Sequence, residues 1–273
     1  MQQINVKFDD NFELPVYKTG KGLPLIIAHG WTGNAEDWFH IIDRLKDKFT
    51  CYLWNCRSYL QAKADLSRLA TDINELTDQE NINEFVLAGH SMGALVSWEY
   101  IKLFGDNKLR MLTIIDQSPK IITDTDWNLG LYGNYTEQDN LAFEDSLQND
   151  FVGTVAELYL NSQEMTKKER EYIRNNELMK ERVKRLENFN FPAWIDTWKS
   201  LVRSDFRETL KNISVPTYLA YGKKSRFYGV KVAEYVADNI KNSNLHLYDK
   251  SGHHPHADYA QDFSEKIIKY AKV

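Results

Sequence analysis

Apolar and polar residues fall into blocks along this chain, and the period of the pattern changes from block to block. Residues 3–8 and 12–18 read as two short strands, with Asp9, Asp10 and Asn11 supplying turn chemistry between them. Gly20-Lys21-Gly22 breaks the chain. LPLIIA, residues 23–28, is continuously apolar, as expected of a strand buried on both faces. Asn34 is placed to cap a helix over 35–48, whose Trp38, Ile41, Ile42 and Leu45 recur on one face. FTCYLW then reads as a strand, 66–76 as a helix, 85–88 as a strand, 92–104 as a helix and 111–115 as a strand. Strands alternating with helices imply an α/β fold with a parallel sheet covered on both faces.

The alternation stops near residue 122. From there to about 204 the pattern is helical, and within it the run Lys167 to Arg185 reads as one solvated helix with opposite charges at i,i+3 and i,i+4. Strand VPTYLAYG, a helix over 230–240, strand LHLYD and a helix over 259–271 follow. The expectation is a core of residues 1–121 and 206–273 carrying eight strands, interrupted after the sixth by a helical cap, 122–205. A segment of that length is too long for an ordinary loop and is expected to form a lid.

Composition narrows the function classes. The 273 residues are 42% hydrophobic and 27% charged, with net charge −5. That balance suits a globular protein and argues against a nucleic-acid partner. Cys51 and Cys56 lie on or beside one strand and read as buried, reduced thiols. No basic start with an apolar run opens the sequence, and no stretch approaches the roughly 18 apolar residues of a membrane span. A soluble cytoplasmic protein is expected, without a membrane partner; the pattern carries no signal for oligomeric state.

The sharpest chemical signal is AGHSMGA. Gly89-His90-Ser91-Met92-Gly93 fits G-x-S-x-G, directly after a strand and directly before a helix. In that context the turn forces the serine hydroxyl out of the chain, and the helix start behind it offers free N–H groups. A serine hydroxyl needs a base. His253, in the loop KSGHHPH after the last strand, is the best candidate, with His254 and His256 as rivals. No Asp, Glu or Cys completes a metal site there. His40 and His246 read as structural, and His90 as a brace for the turn. An oxyanion hole needs two donors: the backbone N–H of Met92 and, from the loop after residues 23–28, that of Trp31.

HGWTGNAEDW, GHSMG and SGHH, in this order and spacing, together with LATDI before the serine's strand, resemble the α/β-hydrolase superfamily. The similarity is to its small capped esterases, haloperoxidase-like hydrolases and meta-cleavage product hydrolases, and it covers nearly the whole chain outside the cap. It implies Ser91 as nucleophile, His253 as base, Trp31 and Met92 as oxyanion donors, and neither metal nor organic cofactor.

Two departures from the family pattern stand out. Where many relatives carry D-x-R-G-x-G-x-S, this chain has Asn55-Cys56-Arg57-Ser58-Tyr59-Leu60-Gln61-Ala62, keeping only the arginine. At the usual G-x-x-D of the triad acid it has Gly222-Lys223-Lys224-Ser225. Some superfamily members place the acid after the preceding strand, with a serine at the usual site. On that resemblance Asp116 is expected to be the acid and Ser225 a supporting group. The rival readings are that Asp116 only caps a turn beside Pro119, and that Asp249, still on its strand, supplies the carboxylate.

The expected reaction is hydrolysis of a carboxylic ester through an acyl-enzyme on Ser91. Serine at this position argues against the aspartate-based chemistry of haloalkane dehalogenase and epoxide hydrolase relatives. Thioester, lactone and carbon–carbon bond hydrolysis by the same triad stay open, as does a non-catalytic ligand receptor. Aromatics of the cap and loops are expected to form an apolar cleft for a small or medium uncharged ester, with His29, His90, Trp127, Tyr132, Trp194 and Trp198 as candidate pocket residues and Tyr135, Phe151, Tyr159, Phe189 and Phe191 as further cap aromatics able to line it.

Overall fold

The computed structural model describes every residue except 61–63, and of Leu60 the backbone alone. Gln61 and Ala62 of the divergent stretch therefore lie outside the described residues. Eight strands form one sheet: β1 (Gln2–Lys7), β2 (Glu13–Gly20), β3 (Leu23–Ala28), β4 (Phe49–Trp54), β5 (Phe85–His90), β6 (Leu109–Ile115), β7 (Thr217–Gly222) and β8 (Ser243–Tyr248). Their order is β1-β2-β4-β3-β5-β6-β7-β8. β2 runs antiparallel to β1 and to β4, and every other pairing is parallel. Strands β5 and β7 are buried throughout, as expected of parallel strands covered on both faces.

The helices among the described residues are α1 (Phe39–Leu45), α2 (Leu66–Gln79), α3 (Met92–Phe104), α4 (Glu137–Asn149), α5 (Phe151–Leu160), α6 (Lys167–Asn175), α7 (Glu177–Leu186), α8 (Phe191–Val202), α9 (Arg207–Lys211), α10 (Val230–Asn239), α11 (Pro255–Asp258) and α12 (Ala260–Ala271). Two apolar clusters form the core. The larger includes Trp98, Phe206 and Leu112 and reaches into α5 and α8, and the smaller packs Trp38, Ile41 and Phe263 together. No helix of the described residues is long and apolar enough to cross a membrane.

Three details differ from the sequence expectation. Asn34 Oδ1 accepts from Asp37 N at 3.0 Å, but the element it precedes is a 3-10 turn, Glu36–Trp38, whose cap position is Ala35, and α1 runs from Phe39 only to Leu45 rather than 48. The charged run 167–185 is two helices, not one. Asn176 leaves the helical region (φ −77°, ψ 160°), and its side chain accepts from Met179 N at 2.8 Å, so it ends α6 and starts α7. Asparagine favours such caps because its short amide competes for backbone donors. Asp249 lies in the turn just past β8, not on the strand.

Arg57, the residue kept from the divergent stretch, is fully buried between the β1–β2 turn and α2. Its guanidinium meets Asp72 at 2.7 Å and Asp10 at 2.5 Å and lies over the rings of Phe8 and Phe12. Cys51 and Cys56 are buried free thiols, each pushed up to about 12 by burial.

Candidate active site

The site forms where three adjacent parallel strands end. Ser91 follows β5 and precedes α3, at φ 54° and ψ −118°, a conformation that strains any residue with a side chain. Its neighbours are glycines for want of space. A Cβ on Gly89 would stand 2.2 Å from Gly93 O, and one on Gly93 would stand 2.0 Å from Ala28 O. The strain is held from the next strand, since Ser91 N donates to Ile115 O at 3.1 Å.

Asp116 repeats the device one strand along. It too has a positive φ, 46°, and its N–H donates to Ala220 O of β7 at 3.0 Å. Its carboxylate is fully buried and collects donors: Gly222 N at 3.1 Å on Oδ1, and Ser225 Oγ at 2.7 Å on Oδ2. His253 Nδ1 lies 2.7 Å from the same Oδ2. Tyr228 N in turn donates to Ser225 Oγ at 3.3 Å. The structure thus brings together Asp116, Ser225 and His253, whereas Asp249 is exposed and paired with Lys223 at 2.6 Å. Sequence order could suggest this grouping, but only strand adjacency makes it.

Burial pushes the Asp116 carboxyl up to about 7, against the lowering pull of the Ser225 and Gly222 hydrogen bonds, and holds the His253 imidazole down at about 3. With the imidazole neutral and Nδ1–H donating to Asp116 Oδ2, Nε2 of His253 is left free to accept a proton. Ser91, His253, Trp31 and Met92 line one cavity, of about 690 Å³ with its mouth included. The Ser91 hydroxyl makes no hydrogen bond within the described protein; such contacts tighten when substrate is bound. The backbone N–H groups of Trp31 and Met92 likewise have no acceptor among the described residues.

The residue 24–259 span matches the model of the family described as "alpha/beta hydrolase fold". The chain belongs to that family. Among curated relatives of this α/β hydrolase is a pimeloyl-[acyl-carrier protein] methyl ester esterase of Legionella pneumophila (strain Corby), 26% identical, with 93% of this chain and 98% of the relative aligned. Its counterpart in Hamiltonella defensa subsp. Acyrthosiphon pisum (strain 5AT) is 24% identical, with 93% and 95% aligned. An esterase from Exiguobacterium antarcticum superposes with a TM-score of 0.86 at 21% identity, over 100% of both chains. A bromoperoxidase from Bacillus anthracis does so with 0.84 at 17%, again over 100% of both.

The α/β-hydrolase cavity departs from the pocket expected of the sequence. His90 and Trp198 line it. His90 Nε2 donates to His253 O at 2.8 Å, which fixes its proton and ties the turn to the base loop. Trp194 does not line it, because its ring is buried and stacks on Phe189, with 5.0 Å between centroids. Trp127 is also elsewhere: its Nε1 donates to Lys120 O, and its ring meets Tyr235 and the Arg207 guanidinium. Tyr132 faces a separate outer groove with Tyr135 and Phe143. His29 borders an adjoining chamber, where Nδ1 donates to Gly30 O and Nε2 accepts from Cys56 N, so it braces the loop. Of the other cap aromatics, Tyr159 lines the cavity, and so does His254, the rival base of the sequence pattern. Arg182, which its charged run would place on a solvated face, also lines the cavity.

Proposed function

We propose that this α/β hydrolase is a serine esterase, cleaving a small or medium carboxylic ester through an acyl-enzyme on Ser91. The observation that carries the reading is the strained Ser91 sharing one cavity with a buried His253–Asp116–Ser225 chain. Ser91 Oγ attacks the ester carbonyl carbon while His253 Nε2 takes the hydroxyl proton. The N–H groups of Met92 and Trp31 hold the oxyanion. The tetrahedral adduct expels the alcohol, which receives that proton from His253, and water then repeats the sequence in reverse roles to free the acid. Asp116 orients the imidazole and balances its transient charge, and Ser225 positions Asp116.

The helices of residues 122–205 act as the cap in this reading, with Ile121, Leu131, Val155, Leu158 and Leu201 forming an apolar wall for the substrate. The esterase names among the relatives support ester chemistry, and those relatives' printed substrate, a pimeloyl-[acyl-carrier protein] methyl ester, is one member of the substrate class to test. A cytoplasmic setting belongs to the same proposal. The test is reaction with a fluorophosphonate and turnover of p-nitrophenyl esters of graded acyl length. Labelling confined to Ser91, lost in Ser91→Ala together with turnover, is expected. Absence of both adduct and turnover in the wild type would favour a ligand receptor instead. Matched thioesters and lactones rank the alternative leaving groups.

A further inference from the structure

Arg182 is the part of the cavity that ester cleavage does not use. It projects from α7 and lines both the Ser91 cavity and the adjoining chamber of about 1020 Å³, mouth included. Tyr159, Ser162 and His254 line both spaces with it, whereas the leucines of the apolar wall line only the first. Its Cζ sits 4.1 Å from the centre of the Tyr159 ring, and that ring packs against His254 at 5.6 Å.

The other arginines nearby have ion-pair partners: Arg185, one turn on, reaches Asp37 through Nη1 at 3.4 Å, its Nε and Nη2 being buried without a hydrogen bond, and Arg170 and Arg174 of α6 pair with Glu157 at 3.3 and 2.6 Å. Asp258, in the adjoining chamber, accepts from Ser251 at 2.6 Å. Arg182 has no hydrogen bond and no ion pair among the described residues. It is also the one permanently charged side chain among the described residues lining the Ser91 cavity, the histidines there being held neutral by burial.

A guanidinium drawn partly out of water without a partner is unfavourable for folding. Its Cζ lies over the Tyr159 ring and its N–H groups have no hydrogen-bond partner among the described residues, and a guanidinium edge matches a carboxylate in two parallel hydrogen bonds. We propose that Arg182 is a specificity residue that binds a carboxylate on the substrate, so that the preferred ester carries a free carboxylate beyond a short apolar spacer. The inference rests on the esterase reading and narrows its substrate class. The carboxylate can belong to the acyl part, as in a half-ester of a dicarboxylic acid, or to the alcohol part.

The test is the ratio of kcat/KM for an anionic ester to that for its neutral analogue, which does not depend on how much enzyme is folded. Mono-p-nitrophenyl glutarate against p-nitrophenyl valerate reads the acyl side, and 4-acetoxybenzoate against phenyl acetate reads the alcohol side. In one of the two pairs the wild-type ratio should exceed about ten, as expected of charge-assisted hydrogen bonds. In Arg182→Gln that ratio should collapse towards or below one, mainly through KM, with partial recovery in Arg182→Lys. Wild-type ratios below one in both pairs, or a ratio that Arg182→Gln leaves unchanged, would overturn the proposal. If the wild type turns over no ester, the esterase reading falls on its own. Glutarate binding by calorimetry then decides about Arg182: it should be about tenfold weaker in Arg182→Gln, and equal affinity overturns the site.

Discussion

At the ends of the parallel strands, buried charge is fully paired. The Asp116 carboxylate gathers Gly222, Ser225 and His253, and Arg57 is clasped by Asp72 and Asp10. In the helices between β6 and β7, the arginine that lines the serine's cavity, Arg182, has no hydrogen bond and no ion pair among the described residues. The two regions handle charge differently because they have different work. A group that must keep one orientation through the proposed reaction is held by backbone and neighbours on rigid strands. A group that recognises substrate is left with its donors open.

Breaking the strand-end pairing should have the largest effect. Asp116→Asn leaves the imidazole without a carboxylate and should lower kcat by about 10⁴-fold, measured on a p-nitrophenyl ester, while Asp249→Asn should stay at the wild-type rate. Wild-type activity in Asp116→Asn with loss in Asp249→Asn would reverse the assignment. Ser225→Ala removes one donor from that carboxylate and should lower kcat by roughly tenfold, with the loss in kcat rather than KM.

A pH profile sharpens the same contrast. Burial opposes protonation of His253, so the base stays neutral below the ordinary histidine value of 6.5. The acidic limb of kcat/KM should accordingly lie below 6.5. Burial also lowers His90, His254 and His256. These groups stay unprotonated when folded but take up protons below 6.5 when unfolded, so stability is retained above that value and falls as the pH drops. Thermal unfolding at each pH separates loss of the base from loss of the fold. The smallest effect lies among the helices. Asn176→Ala should cost about 1 kcal/mol of stability, seen as a lowered Tm, by removing the cap that starts α7 and so loosening the mount of Arg182. An unchanged Tm would mean that the break between α6 and α7 is held by packing alone.

Most of the core was legible. Strands β3 and β4 and helix α3 appear with the boundaries their apolar patterns predict, because burial on a sheet writes itself into each local window. The helical segment was read less well. A mixed-charge run looks the same whether it is one helix or two, and the cap of Asn176 shows only when φ and ψ are known. Aromatic count misled in the same way. Trp127 and Trp194 pack inside the fold and away from the serine, while Tyr159 reaches the cavity, and nothing in their local sequence separates them.

By itself the sequence determined the α/β alternation, the strained serine turn, and the displacement of the expected acid by Ser225. Those follow from residue type and spacing over a few positions. Tertiary structure alone decided that Asp116 and Ser225 meet on one carboxylate oxygen beside His253, since β6 and β7 become neighbours only in the sheet. It alone decided that Arg182, distant in the chain and drawn from a charged stretch, turns towards the serine's cavity unpaired. Pairing and solvent access of a charge depend on what other segments bring to it, and no local window of sequence records that.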